Sequence, residues 1–349
     1  LPLQIAHRDF AVTDYFGLSA TDKIDALETA ASISGRPADL LEKDIWVVWT
    51  LDALFESSVG DHLVFKGGTS LSKAYRAINR FSEDVDLTYD IRQIIPDLID
   101  DPDNPYPPNR SQARKWTDTV RARLSTWVEA DPLQILTERI QTSGMDAKAV
   151  LNDDNIVLEY EAVRSGTGYV RPAVLLEFGA RSTGEPADPH KITCDISGAI
   201  TDLQTPIANP RVMRAERTFW EKATAIHAYC LRGAFRGGDR YARHWYDLGC
   251  LDRTDIAVNA ISDHDLAEDV ARYKQHFFRE NDCDGNIIDY QAAVSGALCL
   301  IPSGEAFDAL SNDYRQMLDA GLLQSDAVGF ETLIERLSDL QDRVNELHT

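Results

Sequence analysis

The sequence predicts an α+β fold, a mixed sheet with accompanying helices followed by a helical C-terminal part. Three observations predict it. The stretch Phe65-Lys66-Gly67-Gly68-Thr69-Ser70 reads as a strand, a glycine turn and a helix start, and Asp84-Val85-Asp86-Leu87 follows as a second strand. Three further extended runs gather between residues 156 and 196, separated by turn residues such as Gly166, Gly168, Gly184 and Pro186. From about Thr205 onward, apolar residues recur at helical spacing to the end of the chain.

Taken in order, residues 1–30 read as an irregular arm and a helix. Residues 38–58 continue as an amphipathic helix, with Leu41, Ile45, Val48 and Leu51 recurring on one face. His62 to Lys66 is a short strand, and Thr69 or Ser70 is expected to cap a helix over Leu71 to Ile78. Asp84 to Thr88 is the next strand. Pro102, Asn104, Pro105, Pro107, Pro108 and Asn109 mark a loop over residues 101–112, before a helix carrying Trp116, Val120, Leu124 and Trp127. Ile156 to Tyr160, Val170 to Phe178 and Lys191 to Ile196 complete an expected sheet of about five strands. Ile207-Ala208-Asn209-Pro210 marks the expected boundary between a first domain, residues 1–205, and a helical second domain, residues 206–349, that completes the active site.

With 349 residues, 44% of them hydrophobic, the chain is long enough for two domains with sizeable cores. No apolar run is long enough to span a bilayer, so no membrane partner is expected. Leu1-Pro2-Leu3-Gln4 lacks the basic and apolar regions of a secretory signal, and a trimmed, cytoplasmic chain is the expectation. Cys194, Cys230, Cys250, Cys283 and Cys299 are widely spaced, which argues against a zinc site or a disulfide framework. The net charge of −22 argues against a protein that coats DNA generally.

Two constellations carry chemistry. Glycines at a strand-to-helix junction let the backbone approach a phosphate, and Ser70 adds a hydroxyl donor. The spacing is neither that of a Walker loop nor Gly-x-Gly-x-x-Gly. On a strand, Asp84 and Asp86 share one face while Val85 and Leu87 turn to the core. Side-by-side carboxylates suit Mg²⁺, with Mn²⁺ as the alternative, and two such ions about 4 Å apart clamp the oxygens of a phosphoryl transfer. A solvated pair on an edge strand is the plainer alternative. Glu177, a lone acid in the apolar run Ala173 to Phe178, is the candidate third carboxylate, with Asp195 as runner-up. Either could instead pair with an arginine such as Arg181.

In the helical part, Lys222 shares a face with Phe219 and Ile226. It either snorkels or neutralises a triphosphate. Asp247, inside Tyr241 to Leu248, could orient Lys222 or form a buried ion pair with an arginine. Between Arg211 and Arg243 eight basic residues face three acids. This island, with Arg214, Arg217, Arg236, Arg240 and Arg243 as RNA-binding candidates, could hold a triphosphate or an RNA end, and Trp220, Tyr241, Trp245 and Tyr246 could stack bases. A solvated helical face over packed aromatics is the competing reading.

Leu41-Glu42-Lys43-Asp44, Phe65 to Leu71, Arg80-Phe81-Ser82-Glu83-Asp84-Val85-Asp86-Leu87, Arg217 to Lys222 and Tyr246-Asp247-Leu248, in this order, resemble the AbiEii/AbiGii nucleotidyltransferase toxins, including the mycobacterial MenT group. Phe330-x-x-Leu333-Ile334-x-x-Leu337 has the same look. The resemblance implies a DNA-polymerase-β-like fold and the toxin half of a bacterial toxin–antitoxin system, abortive-infection types included, with a transcription-regulating antitoxin. MenT-type members add nucleotides to tRNA 3′ ends and block charging and translation. By motif position, Ser70 would touch phosphate, Asp84 and Asp86 would hold metal, and Lys222 and Asp247 would be the paired essential residues. The expectation is therefore an Mg²⁺-dependent nucleotidyltransferase. It would bind NTP through Lys66, Gly67, Gly68, Thr69, Ser70 and Lys222, and it would need no metal besides the catalytic divalent ions. The rivals are nucleotidylation of a protein hydroxyl and a non-enzymatic nucleotide-binding module.

Overall fold

The computed structural model describes residues 13–80, 82, 84–163, 171–200, 202–233, 240–319, 323 and 327–347. The arm before Thr13, Gly166, Gly168, Val170, Phe81, Glu83, Arg236 and Asp239 fall outside the described residues.

The first helix, α1 (Ala20–Ser34), starts where the Ser19 hydroxyl accepts from the Asp22 N–H, and it stops at Gly35 with φ of 73°. The second, α2 (Ala38–Phe55), is buried along most of its length. Leu41, Ile45, Val48, Leu51 and Leu54 are wholly enclosed, and burial extends beyond the expected apolar face to Glu42, Lys43 and Asp44. Strand β1 (Leu63–Lys66) runs into helix α3 (Gly67–Lys73), and strand β2 (Asp84–Tyr89) returns antiparallel beside β1. Helix α4 (Arg110–Ala130) is capped by Asn109 and buries Trp116, Val120 and Leu124, while Trp127 stacks on Tyr89 with ring centroids 4.0 Å apart. Helix α5 (Pro132–Ser143) leads to the hairpin β3 (Ala147–Asn152) and β4 (Asn155–Tyr160), then β5 (Ala173–Gly179), β6 (Ala187–Pro189) and β7 (Arg211–Met213).

The main sheet has seven strands rather than about five, in the order β3-β4-β5-β2-β1-β7-β6. It is mixed: β5 is parallel to β2 and β7 is parallel to β1, and the other neighbours are antiparallel. Three sequence expectations are corrected. The run Lys191 to Ile196 does not join this sheet; only Ile192–Thr193 pairs, with Ile207–Ala208, in a separate two-stranded sheet. The stretch after residue 205 is not yet helical, because β7 is an inner strand of the main sheet and α6 (Ala215–Arg232) begins after it. Helix α3 starts at Gly67, four residues before the expected Leu71, because that glycine turns the chain with φ of 79°.

The longer helices that follow are α7 (Arg243–Leu251), α8 (Asp255–Ser262), α9 (His264–Phe277), α10 (Glu305–Asp319) and α11 (Phe330–Glu346). Two apolar cores result, one under the sheet and one among the helices. They exchange residues: Tyr273 and Phe277 of α9 enter the sheet core, and Leu71 and Ile78 enter the helical core. Among the described residues, no helix is long and apolar enough to cross a membrane.

Candidate active site

Strand register assembles the centre. Asp86 lies opposite Lys66 on one side and opposite Glu177 on the other. Asp84, Asp86 and Glu177 are half-buried, whereas Val85, Leu87 and Leu176 between them are fully enclosed. The alternation of a strand therefore puts the three carboxylates on one sheet face. Burial, then the facing Asp86 and Asp84, pushes Glu177 up to about 7, with Arg243 opposing. Asp195 is elsewhere. It binds Arg36 and Lys73, the lysine at 2.8 Å, in a cluster that also holds the buried Asp44. The runner-up for third carboxylate is thus part of a structural ion-pair cluster.

The glycine turn abuts this row. A Cβ on Gly67 would lie 2.0 Å from the Asp86 Oδ2, and one on Gly68 would lie 2.2 Å from the Arg80 Nη2. Both positions must be glycine for the carboxylate and the guanidinium to come this close. Thr69 and Ser70 are enclosed. The Ser70 hydroxyl donates to the Gly67 carbonyl at 2.9 Å, and the Thr69 hydroxyl binds the Ser82 hydroxyl and the Asp84 carbonyl. Ser70 thus braces the glycine turn itself, and Thr69 ties that turn to the Asp-x-Asp strand. Lys66 leans toward Glu221, at 3.9 Å.

In the helical part, Lys222 and Asp247 meet at 2.8 Å. Asp247 is wholly buried, and Arg80 grips it with two further bonds of 2.6 and 2.8 Å. Burial opposes ionisation of Asp247, but Arg80 and Lys222 outweigh it and hold the carboxyl below its usual range. Burial, aided by Arg80 and Arg243, lowers Lys222, while the Asp247 carboxylate favours its charged form. Sequence reasoning missed Arg80 as a site residue, although it stands two positions before Ser82 in the same motif. It also missed His244, whose buried Nδ1 has no partner among the described residues and whose pKa falls well below the usual value through burial and Lys222.

The basic island disperses. Arg243 reaches the site, 3.7 Å from Asp84. Arg214 is exposed and pairs with Asp188 at 2.9 Å. Arg217 is 2% exposed and clamps Asp269, Glu221 and the Glu185 carbonyl, so it cannot face RNA. Arg240 is half-buried at a φ of 67°, its N–H donated to Asp313. Three of the aromatics expected to stack bases, Trp220, Trp245 and Tyr246, are core residues instead, and Tyr241 is half-buried. The Trp220 and Trp245 indoles donate to the Ala260 and Leu300 carbonyls, and Tyr246 is buried. Tyr241 packs on Tyr229 with ring centroids 5.1 Å apart.

Among the described residues, no group of three or more His, Cys, Asp and Glu side chains closes into a metal cage. Two carboxylates on one strand face are still the oxygen donor set that Mg²⁺ shares with substrate phosphates.

Carboxylates on one sheet face beside a glycine turn are the equipment of a nucleotidyltransferase. Sequence similarity gives that class a family. The chain belongs to the family described as "Nucleotidyl transferase AbiEii toxin, Type IV TA system", whose sequence pattern matches residues 49–336. Among solved structures, the chain is similar to MenT4, the nucleotidyltransferase toxin Rv2826c from Mycobacterium tuberculosis H37Rv. Identity is 15% and the TM-score 0.39, over 95% of this chain and 99% of that one. No curated protein matches.

Proposed function

We propose that this toxin transfers a nucleotide from an NTP to the 3′ end of an RNA, with tRNA as the expected acceptor and blocked translation as the consequence. The observation that carries the reading is the register of Asp84, Asp86 and Glu177 on one sheet face, beside the glycine turn. Asp84 and Asp86 would hold Mg²⁺, which when bound supplies Lewis-acid polarisation of the phosphates. The backbone of the Gly67-Gly68 turn and Lys222 bind the triphosphate, and Arg243 balances charge near Asp84. The acceptor hydroxyl oxygen forms a new bond to the α-phosphorus, and the bond to the bridging oxygen breaks. Pyrophosphate leaves and the hydroxyl proton passes to solvent. The residues act mainly through positioning and charge. Asp247 and Arg80 are positioning residues that fix the Lys222 ammonium. Family membership supports a cognate antitoxin as partner.

The test is transfer from each α-labelled NTP, with Mg²⁺ and total bacterial tRNA, by the wild-type chain and Asp86→Ala. Label in RNA with wild type alone is the expected result. The net charge of −22 favours a second reading, nucleotidylation of a protein hydroxyl, and label on protein alone would replace the first reading with it.

A further inference from the structure

The carboxylate row has two sides, and only one is taken by the glycine turn. Because β1 is antiparallel to β2, with Lys66 opposite Asp86, Gly67 continues toward the Asp84 end of the row. In the other direction the next pair on the same face is Thr88 and Gly179. A cavity of about 230 Å³ opens there, and Lys66, Thr88, Gly179, Arg121, Arg181 and Phe278 are among its lining residues. Its lining starts one same-face pair beyond Asp86 and Glu177, neither of which lines it, and it extends away from the turn.

The chemistry of this cavity is unlike the acidic average of the chain. Arg121 and Arg181 form no ion pair among the described residues, although acids outnumber bases 57 to 35 in the sequence. The Arg181 guanidinium lies over the Phe278 ring, 5.1 Å from its centroid, and the Lys274 ammonium is 4.7 Å from the same ring. Asp154 stands on the rim and offers acceptor oxygens to a base amino group or a sugar hydroxyl. Cations beside an aromatic platform suit a single-stranded nucleotide, whose base stacks on a ring or a guanidinium plane and whose phosphate meets the charge.

We infer that this cavity seats the 3′-terminal nucleotide of a single-stranded RNA acceptor. Its base lies on the Arg181–Phe278 platform, its phosphate meets Arg121, and its hydroxyl is presented to the carboxylate row from the side opposite the triphosphate. In-line displacement needs that opposition, since nucleophile and leaving group lie on opposite sides of the phosphorus. The inference rests on the nucleotidyl-transfer reading. A protein acceptor would leave the two guanidinium groups without a phosphate.

Gly179 supplies the test. A Cβ there would meet nothing closer than the Leu87 carbonyl oxygen at 3.8 Å, so Gly179→Leu fills the cavity without a clash at its root. Full-length wild type, Gly179→Leu and an Arg121→Ala/Arg181→Ala double variant are compared. Each is assayed by fluorescence anisotropy with an eight-nucleotide single-stranded RNA bearing a free 3′ hydroxyl, and separately for binding of a non-hydrolysable NTP with Mg²⁺. The expected result is RNA affinity weakened about tenfold or more in both variants, with NTP affinity within twofold of wild type. Unchanged RNA affinity in both variants overturns the inference, as does loss of NTP binding alongside it, which would make the cavity a nucleotide pocket. Label transfer to protein that Gly179→Leu leaves intact overturns it too. If RNA binding follows the variants while wild type neither binds NTP nor transfers label, the transfer reading fails and the RNA seat stands.

Discussion

Asp247 is fully enclosed between Arg80 and Lys222, and the two cations have different jobs. Removing the anion leaves two buried cations without their counter-charge. Asp247→Ala is expected to destabilise the fold by about 3–5 kcal/mol, measured by chemical denaturation. Lys222→Ala leaves the Arg80–Asp247 pair in place. It is expected to keep nearly all stability while kcat/KM for NTP falls about a hundredfold or more. Wild-type kinetics in that variant would return Lys222 to a packing role. Gly67→Ala joins the two motifs in one test. It combines a left-handed φ of 79° with a Cβ 2.0 Å from the Asp86 carboxylate. Strain alone costs about 1–2 kcal/mol, and transfer is expected to fall further than stability because Asp86 must move. A variant destabilised but fully active would show that Asp86 does not need its present position.

Helix α6 carries Lys222 to Asp247 and buries His227. The His227 Nδ1 accepts the Cys299 N–H at 3.1 Å, and burial lowers its pKa to about 4 from the ordinary 6.5. The unfolded chain therefore binds a proton that the folded chain refuses between these values. The neutral ring's contribution is complete above about pH 6.5 and is lost as pH falls toward 4, about 3 kcal/mol at most. Denaturant titrations at pH 7 and pH 4.5 should show a smaller loss for His227→Gln, which keeps an acceptor and does not titrate. An equal loss in both proteins would assign the acid sensitivity to other groups. At the same scale, α4 and β4 follow their sequence patterns closely because each has one dominant apolar stripe. The strands at Ala147–Asn152, Ala187–Pro189 and Arg211–Met213 do not announce themselves. The latter two are only three residues long, and the first opens with alanine and lysine, so their pairing comes from neighbours rather than from propensity.

Across the whole molecule, the sheet and the helical part are interlocked. Strand β7 sits between β1 and β6, and Tyr273 and Phe277 of α9 fill the sheet core. A fragment of residues 1–205 lacks both contributions. It is expected to be insoluble or to bind a hydrophobic dye, whereas the full chain unfolds in one cooperative transition. A soluble, sharply melting fragment would show that the first part is autonomous. The charge argument also belongs to this scale. The net charge of −22 describes the exterior, while the cations at the site are local: Lys66, Arg80, Lys222 and Arg243 converge on Asp84, Asp86 and Asp247.

The sequence by itself determined the α+β class, the glycine turn and the face shared by Asp84 and Asp86. These follow from local rules: strand alternation, the conformational freedom of glycine, and short motifs with fixed spacing. Only the tertiary structure decided which distant groups meet. It set Glu177 rather than Asp195 beside Asp86, because parallel pairing of β5 with β2 places Glu177 opposite Asp86 while Asp195 goes to Arg36 and Lys73. It also turned Arg217, Trp220 and Trp245 inward and brought Arg80 to Asp247 across 167 positions of sequence. Register, burial and long-range ion pairing depend on the whole chain's packing, which no local window of residues contains.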